Sequence, residues 1–437
     1  MKLFLIPFLA IFLSISFQIS AQINVSAQLR PRFEMRHGYK NLPEKNAETA
    51  YFVSQRSRMN FELQKDKYSV YLSFQDVRVW GDESNFSTTG ITGDDASIDL
   101  FNAYFLYTIN EKTKLKVGRQ EFIYFDQRLL SARNWNQYGI AYDAFLIQNK
   151  FSGNEIDIAL SYNNSKENTF GNTYDTIKYK TLNFLTWKKT ITENIDLAWL
   201  NIAAGKQKGG TQSTIYMKYT SGLLAFYKIE KFNINASYYY QYGKNESGSK
   251  VSANFYSIGG TYKKNNIAIS LNYEYLSGQD QGNLSTDYTK TDHRFDILYG
   301  ARHKYYGYMD YFSNLNKTTS NSGLSDFYVS LNINKQKPHQ IQMIYHFFQT
   351  AQKAYLYDEL NSLTILDKNL GSEIDLIYSF KMQKDIQFEV GFCSMFPSKQ
   401  FEELQKVNST DNFVYWLYTM ITFSPSYMFK EISENGN

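Results

Sequence analysis

The arginines are the residues of this chain whose type and spacing suggest chemistry. The sequence holds eleven of them, and nine lie between residues 30 and 133. A guanidinium group stays charged and presents a fork of donors that matches a carboxylate or a phosphate. A row of such groups along a pore wall would replace part of the hydration of a passing anion, and several weak sites in series suit conduction. The arginine pattern therefore predicts a path for an anion.

Two segments near the amino terminus carry this pattern. Residues 23–36 alternate without interruption, with apolar side chains at odd positions and polar side chains at even positions, and residues 52–63 repeat the alternation less regularly. The arginines on their polar faces are Arg30, Arg32, Arg36, Arg56 and Arg58. A two-residue period predicts a strand with one polar and one apolar face. Lipid outside and a water-filled lumen inside would solvate the two faces.

Residues 121–141 form the second candidate region, because charged and aromatic side chains are dense there. This density favours a loop folded inward as a constriction or as a platform that contacts sugars, and an ordinary extracellular loop is the alternative. The predicted pore-lining or substrate-binding residues are Arg30, Arg32, Arg36, Arg56, Arg58, Arg78, Arg119, Glu121, Asp126, Arg128, Arg133, Asn134, Trp135 and Asp143.

A second interpretation of the arginines is structural. Acidic residues close to them in sequence could pair with them and brace the wall of a barrel; these are Glu34, Glu62, Asp76 and Glu121. Polar lumens of outer-membrane barrels suit such mixed charges. The two interpretations overlap, because a mixed ladder of charges still biases a pore electrostatically.

The composition favours strands. The 437 residues include 37 Tyr and 33 Phe but only six Pro and one Cys, Cys393. Tyr and Phe suit pleated, half-buried surfaces. After residue 21 no run of about 18 apolar residues suggests a membrane helix, although alternating barrel strands give little hydropathy signal. A net charge of +4 gives no indication of a nucleic-acid partner, and a lone cysteine excludes an intrachain disulfide.

The amino terminus reads as a secretory signal peptide over residues 1–21. Lys2 supplies a positive end, residues 3–17 are almost wholly apolar, and Ala21 ends the segment with a small residue. No cysteine follows the apolar run, which excludes a bacterial lipoprotein anchor. Since no linker or change of composition divides the rest, residues 22–437 are predicted to form a single domain.

Eighteen strands are predicted along the mature chain, over residues 23–36, 51–64, 67–80, 97–109, 113–122, 140–150, 154–164, 179–189, 193–204, 212–229, 232–243, 251–262, 267–277, 323–333, 339–351, 371–382, 386–396 and 412–425. Short and long connections alternate between them, and the longest covers residues 278–322. Short periplasmic turns and long extracellular loops are typical of outer-membrane barrels. The prediction is an all-β, transmembrane antiparallel β-barrel of about 18 strands in the bacterial outer membrane.

Catalysis has little support in the sequence. A hydrolase needs a nucleophile with a base, but His339 and His346 lie seven residues apart on one predicted strand and so face opposite sides. His37 and His303 lie in loops without the spacing of a dyad, and no cluster has the spacing of metal ligands. We therefore predict no enzyme activity, no cofactor and no metal. A barrel hydrolase and a structural or adhesive barrel stay as alternatives.

An energised receptor with a plug is a further class of barrel. The first strand begins two residues after the predicted cleavage point, which leaves no length for a plug domain at the amino terminus. The sequence therefore favours a passive pore over such a receptor.

Several blocks of the sequence resemble the alginate-export family of outer-membrane porins. They are RSRMNFEL at 56–63, VGRQEFIYFDQRLLSARNW at 117–135 and YDAFLIQ at 142–148. Two later regions resemble its Bacteroidetes branch: ARHKYYGYMDYF at 301–312, and GSEIDLIYSF with VGFCSMFP at 371–380 and 390–397. The sequence departs from the family at Phe125, where Gly is usual, and at Ile140 and Ala144, where Arg and Gly are common.

The resemblance implies an eighteen-stranded barrel with an arginine-lined lumen through which an anionic polysaccharide crosses the outer membrane. The positions that match the family and could carry this function are Arg56, Arg58, Arg119, Asp126, Arg128, Asn134, Trp135 and Asp143. The expected partners are an anionic saccharide such as an alginate-like oligouronate, outer-membrane lipid, and periplasmic components of export or uptake.

Overall fold

The computed structural model describes residues 21–81, 98–172, 174, 179–207, 214–335, 337–357, 363–407 and 413–430. The predicted signal peptide, apart from Ala21, lies outside the described residues. Its cleavage stays a prediction.

Eighteen long strands dominate the described chain, as the sequence predicts. They are β1 (Ala21–His37), β2 (Ala50–Lys65), β3 (Tyr68–Val79), β4 (Asp99–Asn110), β5 (Thr113–Gln120), β6 (Tyr142–Phe151), β7 (Asn154–Leu160), β8 (Thr181–Thr192), β9 (Ile195–Gln207), β10 (Ile215–Ile229), β11 (Phe232–Lys244), β12 (Lys250–Lys264), β13 (Ile267–Leu276), β14 (Leu324–Ile333), β15 (His339–Gln349), β16 (Asn369–Gln383), β17 (Ile386–Pro397) and β18, which has two pieces, Val414–Phe423 and Ser426–Lys430. Each predicted strand corresponds to one of these, with ends that differ by a few residues.

The sheet closes on itself because β18 pairs with β1. Arg32 lies opposite Met420 in the first piece of β18, and Gln22 lies opposite Lys430 in the second. Consecutive strands pair antiparallel around the whole sheet. Closure leaves no strand edge to pair with another molecule, and it confirms the predicted all-β barrel.

Side chains alternate between the two faces of the barrel wall. Leu223 and Leu271 on the outer face are 63% and 55% exposed, whereas Glu274 on the inner face is fully buried. An apolar outer face and a polar inner face are what a bilayer and a lumen require. Among the described residues, no helix is long and apolar enough to cross a membrane.

Tight turns join the strands at one end of the barrel. Asp66, Glu230 and Asn265 each begin a two-residue turn and have positive φ angles of 48°, 41° and 53°. Two-residue hairpins that match the twist of their strands require such left-handed residues. Long connections lie at the other end, which is the asymmetry that the sequence predicts.

Short elements occupy the long connections. They are α1 (Thr286–Thr289), α2 (Leu315–Thr318), α3 (Lys399–Gln405), two 3-10 turns at Arg302–Lys304 and Tyr311–Asn314, a two-residue strand at Thr291–Asp292, and a small hairpin of Tyr355–Tyr357 with Leu363–Ile365.

Two connections fold into the barrel. We call residues 121–141 the first inner segment and residues 294–319 the second inner segment. Phe122 and Leu129 of the first, and Met309 and Phe312 of the second, are at most 2% exposed. They belong to one hydrophobic cluster with inward-facing strand residues such as Trp416. The core of this protein therefore lies inside the barrel.

Candidate constriction site

Two arginines face each other on the inner wall. Arg30 of β1 lies directly opposite Arg56 of β2 in the register of the sheet. Both side chains are on the inward face and only 6% and 2% exposed. Like charges directly opposite each other on a sheet are destabilising, so this pair requires compensation from its surroundings.

The backbone of the first inner segment supplies that compensation. Arg30 donates from Nη1 to the carbonyl oxygen of Asn134 at 2.8 Å and from Nη2 to that of Asn136 at 3.0 Å. Arg56 donates from Nη1 to the same two oxygens at 3.3 and 3.2 Å, and Arg32 donates to the carbonyl of Trp135 at 3.2 Å. The arginine wall thus holds the first inner segment inside the barrel.

Gln137 fastens the same segment to the strand backbone. Its Nε2 donates to the carbonyl oxygens of Arg30 and Ser54, both at 3.3 Å, and its Oε1 accepts from Arg30 Nε at 3.0 Å. Sequence analysis missed Gln137, because nothing in its local pattern separates it from other polar loop residues.

The charges of the wall are only partly balanced. Glu34 pairs with both Arg32 and Arg36, each at 2.8 Å. Within the described part of the chain, Arg30, Arg56 and Arg58 form no ion pair with a carboxylate. Carbonyl oxygens satisfy guanidinium donors without supplying a counter-charge, so these three positive charges have no anionic partner among the residues that the structure describes.

Arg58 continues the wall towards the acidic side chain of Glu121. It donates from Nη1 to Asn134 Oδ1 at 3.1 Å, and the amide of Asn134 donates to Glu121 at 3.3 Å. The guanidinium carbon of Arg58 lies 3.7 Å from the centre of the Phe101 ring. Such a cation–π contact stabilises the positive charge and leaves it uncompensated.

Trp135 connects the two inner segments. Its ring stacks on His303 with centres 4.3 Å apart, and Arg32 lies over the ring at 4.9 Å. His303 is 3.1 Å from Asp310. Because His303 stacks on a face of the tryptophan, the ring packs the first inner segment against the second.

Asp310 stays ionised in this buried position. Burial by itself raises the pKa of the Asp310 carboxyl, but the nearby His303 and hydrogen bonds from His303 and Tyr39 outweigh it, so the pKa lies below its ordinary value. The charged carboxylate is therefore part of the packing between the second inner segment and Tyr39.

Hydrogen bonds to backbone carbonyl oxygens hold the two inner segments together. Arg133 donates from Nε to Gly300 O and from Nη2 to Leu298 O, both at 2.9 Å. Tyr299 N donates to Leu129 O at 3.0 Å, and Ala301 N donates to Gln127 O at 2.8 Å. The two segments therefore form one interlocked body that crosses the lumen.

Comparison with known proteins assigns the barrel to a family. The family model described as alginate export matches residues 21–415. The chain belongs to the alginate export family. Membership in this family and the closed barrel place it in the bacterial outer membrane as a pore. No curated protein matches the sequence of this family member.

Solved structures share the fold of this alginate export family barrel at low sequence identity. Pseudomonas aeruginosa OpdO has a TM-score of 0.60 at 10% identity, with 92% of this chain and 97% of that chain covered. P. aeruginosa OccK11 (OpdR) gives 0.57 at 10%, covering 93% and 96%. Acinetobacter baumannii OccAB2 gives 0.57 at 12%, covering 93% and 98%. These likenesses concern the fold.

Three residues predicted to line the pore lie on the outer face of the barrel. Arg119 of β5 and Asp143 of β6 pair at 2.9 Å with side chains 47% and 55% exposed. They share the outer face with Val117 and Phe145. The prediction that they face the lumen is therefore wrong. Side chains alternate along a strand, and these two point to the same side as the apolar residues that face outward.

Arg78 requires the same correction. It pairs with Asp76 at 2.8 Å, and both residues have the parity of Phe74, which is exposed on the outer face. Arg78 and Arg119 therefore lie at the outer rim, near the ends of strands that lead into long connections. They do not extend the inner arginine wall.

The remaining predicted residues of the first inner segment lie inside the barrel. Arg128 is buried, pairs with Glu274 of β13, and lies 3.1 Å from Asp126. This buried ion pair joins residues 146 positions apart in the sequence. The ion pair anchors the first inner segment to β13, away from the arginines of β1 and β2.

An acidic wall on β13–β16 is a second part of the site that sequence analysis missed. Glu373 Oε1 accepts from Met309 N at 2.7 Å, and Asp375 lies close to His346, which pairs with Asp326 at 2.9 Å. The available signal was the alternation of Glu373 and Asp375 with apolar residues. These carboxylates hold the second inner segment.

A cavity of about 730 Å³ lies at the turn end of the lumen, below the first inner segment. Its lining includes Glu121 and the stacked rings of Tyr71 and Tyr104, whose centres are 5.1 Å apart. Four lysines and four acidic residues line it. This end of the lumen is therefore balanced in charge. In the described part of the chain no group of His, Cys, Asp and Glu side chains could hold a metal ion.

Proposed function

We propose that this outer-membrane pore passes anionic solutes passively, with an acidic polysaccharide or oligouronate as the class of solute. The solute would move along the part of the lumen that the inner arginines line. The family description, alginate export, fits such a solute, because alginate is a chain of carboxylated sugars.

The observation that carries this proposal is the excess of positive charge at the constriction. Among the described residues, Arg30 and Arg56 face each other without a carboxylate partner, and Arg58 follows them on the same wall. A sheet that retains opposed like charges gives up stability. Such a sacrifice is typical of functional sites. Positive potential in a narrow, low-dielectric passage favours anions over cations.

Solute flux into vesicles tests the proposal. Proteoliposomes of the refolded barrel are expected to admit a linear trimer of hexuronic acid faster than a neutral hexose trimer of the same length. A variant with Arg30→Gln and Arg56→Gln is expected to lose most of this difference. Equal rates for the two trimers in the native protein would contradict the proposal.

Two other functions are less well supported. A barrel hydrolase would need a nucleophile beside a base. Within the described residues, the His303 and His346 pairs have acidic partners, and no serine or threonine hydroxyl is bonded to either ring. Hydrolysis of phospholipid or peptide by the refolded barrel would favour the enzyme. Absence of any conductance or flux would favour a structural or adhesive barrel.

A further inference from the structure

A second charged cavity lies at the loop end of the lumen, away from the arginine wall. It has a volume of about 290 Å³ and lies where the ends of β9–β11 meet both inner segments. Lys206 of β9, Lys218 of β10, and Arg133 and Arg302 of the inner segments line it. The strand ends, the first inner segment and the second inner segment all contribute, so the cavity depends on the fold of the interlocked segments.

The charge of this cavity is strongly unbalanced. Five cationic side chains line it, against the two carboxylates of Glu246 and Asp296. Lys218 pairs with Asp296 at 2.9 Å, but Lys206 lies 3.9 Å from Glu246, at the limit of an ion pair. The excess is three positive charges, whereas the larger cavity at the turn end has none. This excess would attract an anion at the loop end of the lumen.

Arg133 and Arg302 are held close together by one backbone oxygen. Both donate to the carbonyl of Leu298, Arg133 at 2.9 Å and Arg302 at 3.4 Å. Among the described residues, Arg302 Nε is buried and has no hydrogen-bond partner. Burial and the charge of Arg302 lower the pKa of Arg133 to about 10. Two half-buried guanidiniums that repel each other are stabilised when an anion binds between or beside them.

The cavity also has aromatic walls. The rings of Tyr216 and Tyr299 line it together with the apolar side chain of Ile140. A sugar ring needs apolar or aromatic surface for its carbon–hydrogen faces and charged donors for a carboxylate. The volume is at the lower end of the range for small-molecule sites, which suits one sugar unit or two.

We propose that this cavity is a binding subsite for a carboxylated sugar unit of the transported chain, reached from the loop end of the barrel. The proposal rests on the proposed function and names where the solute is first held. Lys206 and Arg302 contribute charge, and Tyr216 contributes surface. The bound sugar unit could then leave for the lumen, because each cationic side chain would make only one contact with it and would keep its hydrogen bonds to the protein.

Equilibrium binding to the detergent-solubilised full chain tests the subsite. Isothermal titration with a hexuronic acid trimer is expected to show binding that a neutral hexose trimer does not show. In a variant with Lys206→Gln and Arg302→Gln, the Kd for the acidic trimer is expected to rise about tenfold for each charged donor removed. Arg302→Lys in place of Arg302→Gln should restore part of the affinity.

A matched pair of lysines at the other end of the lumen provides the control. Lys116→Gln with Lys228→Gln removes two charges from the turn-end cavity, and the Kd should stay within about twofold of the native value. If the Lys206→Gln and Arg302→Gln variant does not refold, Lys206→Gln alone serves, because that side chain is 34% exposed. Native affinity in the pocket variant, or no binding of the acidic trimer by the native protein, would overturn the subsite.

The outcome separates the subsite from the proposed function. The pocket variant keeps Arg30, Arg56 and Arg58, so it should still prefer anions in a salt gradient, with a preference that the loss of two positive charges makes smaller. Native trimer affinity together with intact anion preference would overturn only the subsite. If the native pore shows no preference for anions, the proposed function itself is overturned.

Discussion

Arg30 and Arg56 share the same two hydrogen-bond acceptors, the carbonyl oxygens of Asn134 and Asn136. The two arginines lie opposite each other on β1 and β2. The backbone carbonyls of the first inner segment therefore accept hydrogen bonds from both guanidinium groups and offset part of the repulsion between them. This pair of residues thus holds the first inner segment in place, and under the proposed function it also makes the constriction positive.

Replacing Arg56 separates these two effects. Arg56→Lys keeps the charge but loses the fork that reaches both carbonyls. We expect Arg56→Lys to keep the native reversal potential, and both Arg56→Lys and Arg56→Gln to lower the free energy of unfolding by about 1–3 kcal/mol. Urea unfolding in lipid vesicles and planar-bilayer recording measure the two effects. A loss of anion preference in Arg56→Lys would show that charge is not the determinant.

Gly300 tests whether the interlocked segments restrict the pore. A Cβ at this position would lie 1.8 Å from the carbonyl oxygen of Arg128, so Gly300→Ala forces the inner segments apart. We expect a higher single-channel conductance and a lower midpoint of thermal unfolding. Gly260→Ala is the control, because a Cβ there meets no atom within 4 Å. Native conductance in Gly300→Ala would mean that the segments do not limit flow.

Protonation of Asp310 should destabilise the second inner segment at low pH. Its folded pKa is lowered from an ordinary value of about 4, so its ionised form stabilises the fold above that value. The contribution is lost as the pH falls through the lower, folded pKa. We expect tryptophan fluorescence, to which Trp135 stacked on His303 is one of five contributors, to change below about pH 4.

Two variants check the assignment of that acid transition. Asp310→Asn should show the altered fluorescence already at neutral pH and a weaker acid transition. Asp66→Asn, in an exposed turn, should behave like the native protein. An acid transition of native size in Asp310→Asn would exclude this carboxylate as its source.

Arg119 tests the correction of its position. Since it pairs with Asp143 on the outer face of the barrel, Arg119→Gln should leave the reversal potential unchanged. Exposed pairs of this kind contribute little, so the free energy of unfolding should fall by less than about 1 kcal/mol. A clear drop in anion preference would instead place the guanidinium in the conduction path.

Much of the barrel could be predicted from local sequence. Every one of the eighteen strands has an alternating or aromatic pattern that a two-residue period reveals, and the alternation of connection lengths gives the topology. The inward faces of residues 23–36 and 52–63 were also predictable, because their alternation is long and regular.

Individual faces near strand ends were harder to predict. Arg78 and Arg119 follow short apolar patterns, and a charge at the outer rim is tolerated where the lipid ends. Their charge alone suggests that they face the lumen. Strict alternation along the strand, starting from the outward-facing Phe74 or Val117, places both on the outside and is the better predictor.

The interior of the barrel depends on contacts that no local pattern encodes. The ion pair of Arg128 with Glu274, and the hydrogen bonds from Arg30 to Asn134 O and to the side chain of Gln137, each join residues more than a hundred positions apart. His303 and Asp310 meet because the second inner segment folds back on itself. Such pairs follow from the packed loops, so sequence spacing gave no sign of them.

The most direct test of the central claim is the reversal potential in a KCl gradient across a planar bilayer. The native pore is expected to prefer chloride, and a variant with Arg30→Gln, Arg56→Gln and Arg58→Gln is expected to shift the reversal potential towards zero, while Arg119→Gln does not. A triple variant that still folds, conducts and keeps the native reversal potential would contradict an arginine-based preference for anions.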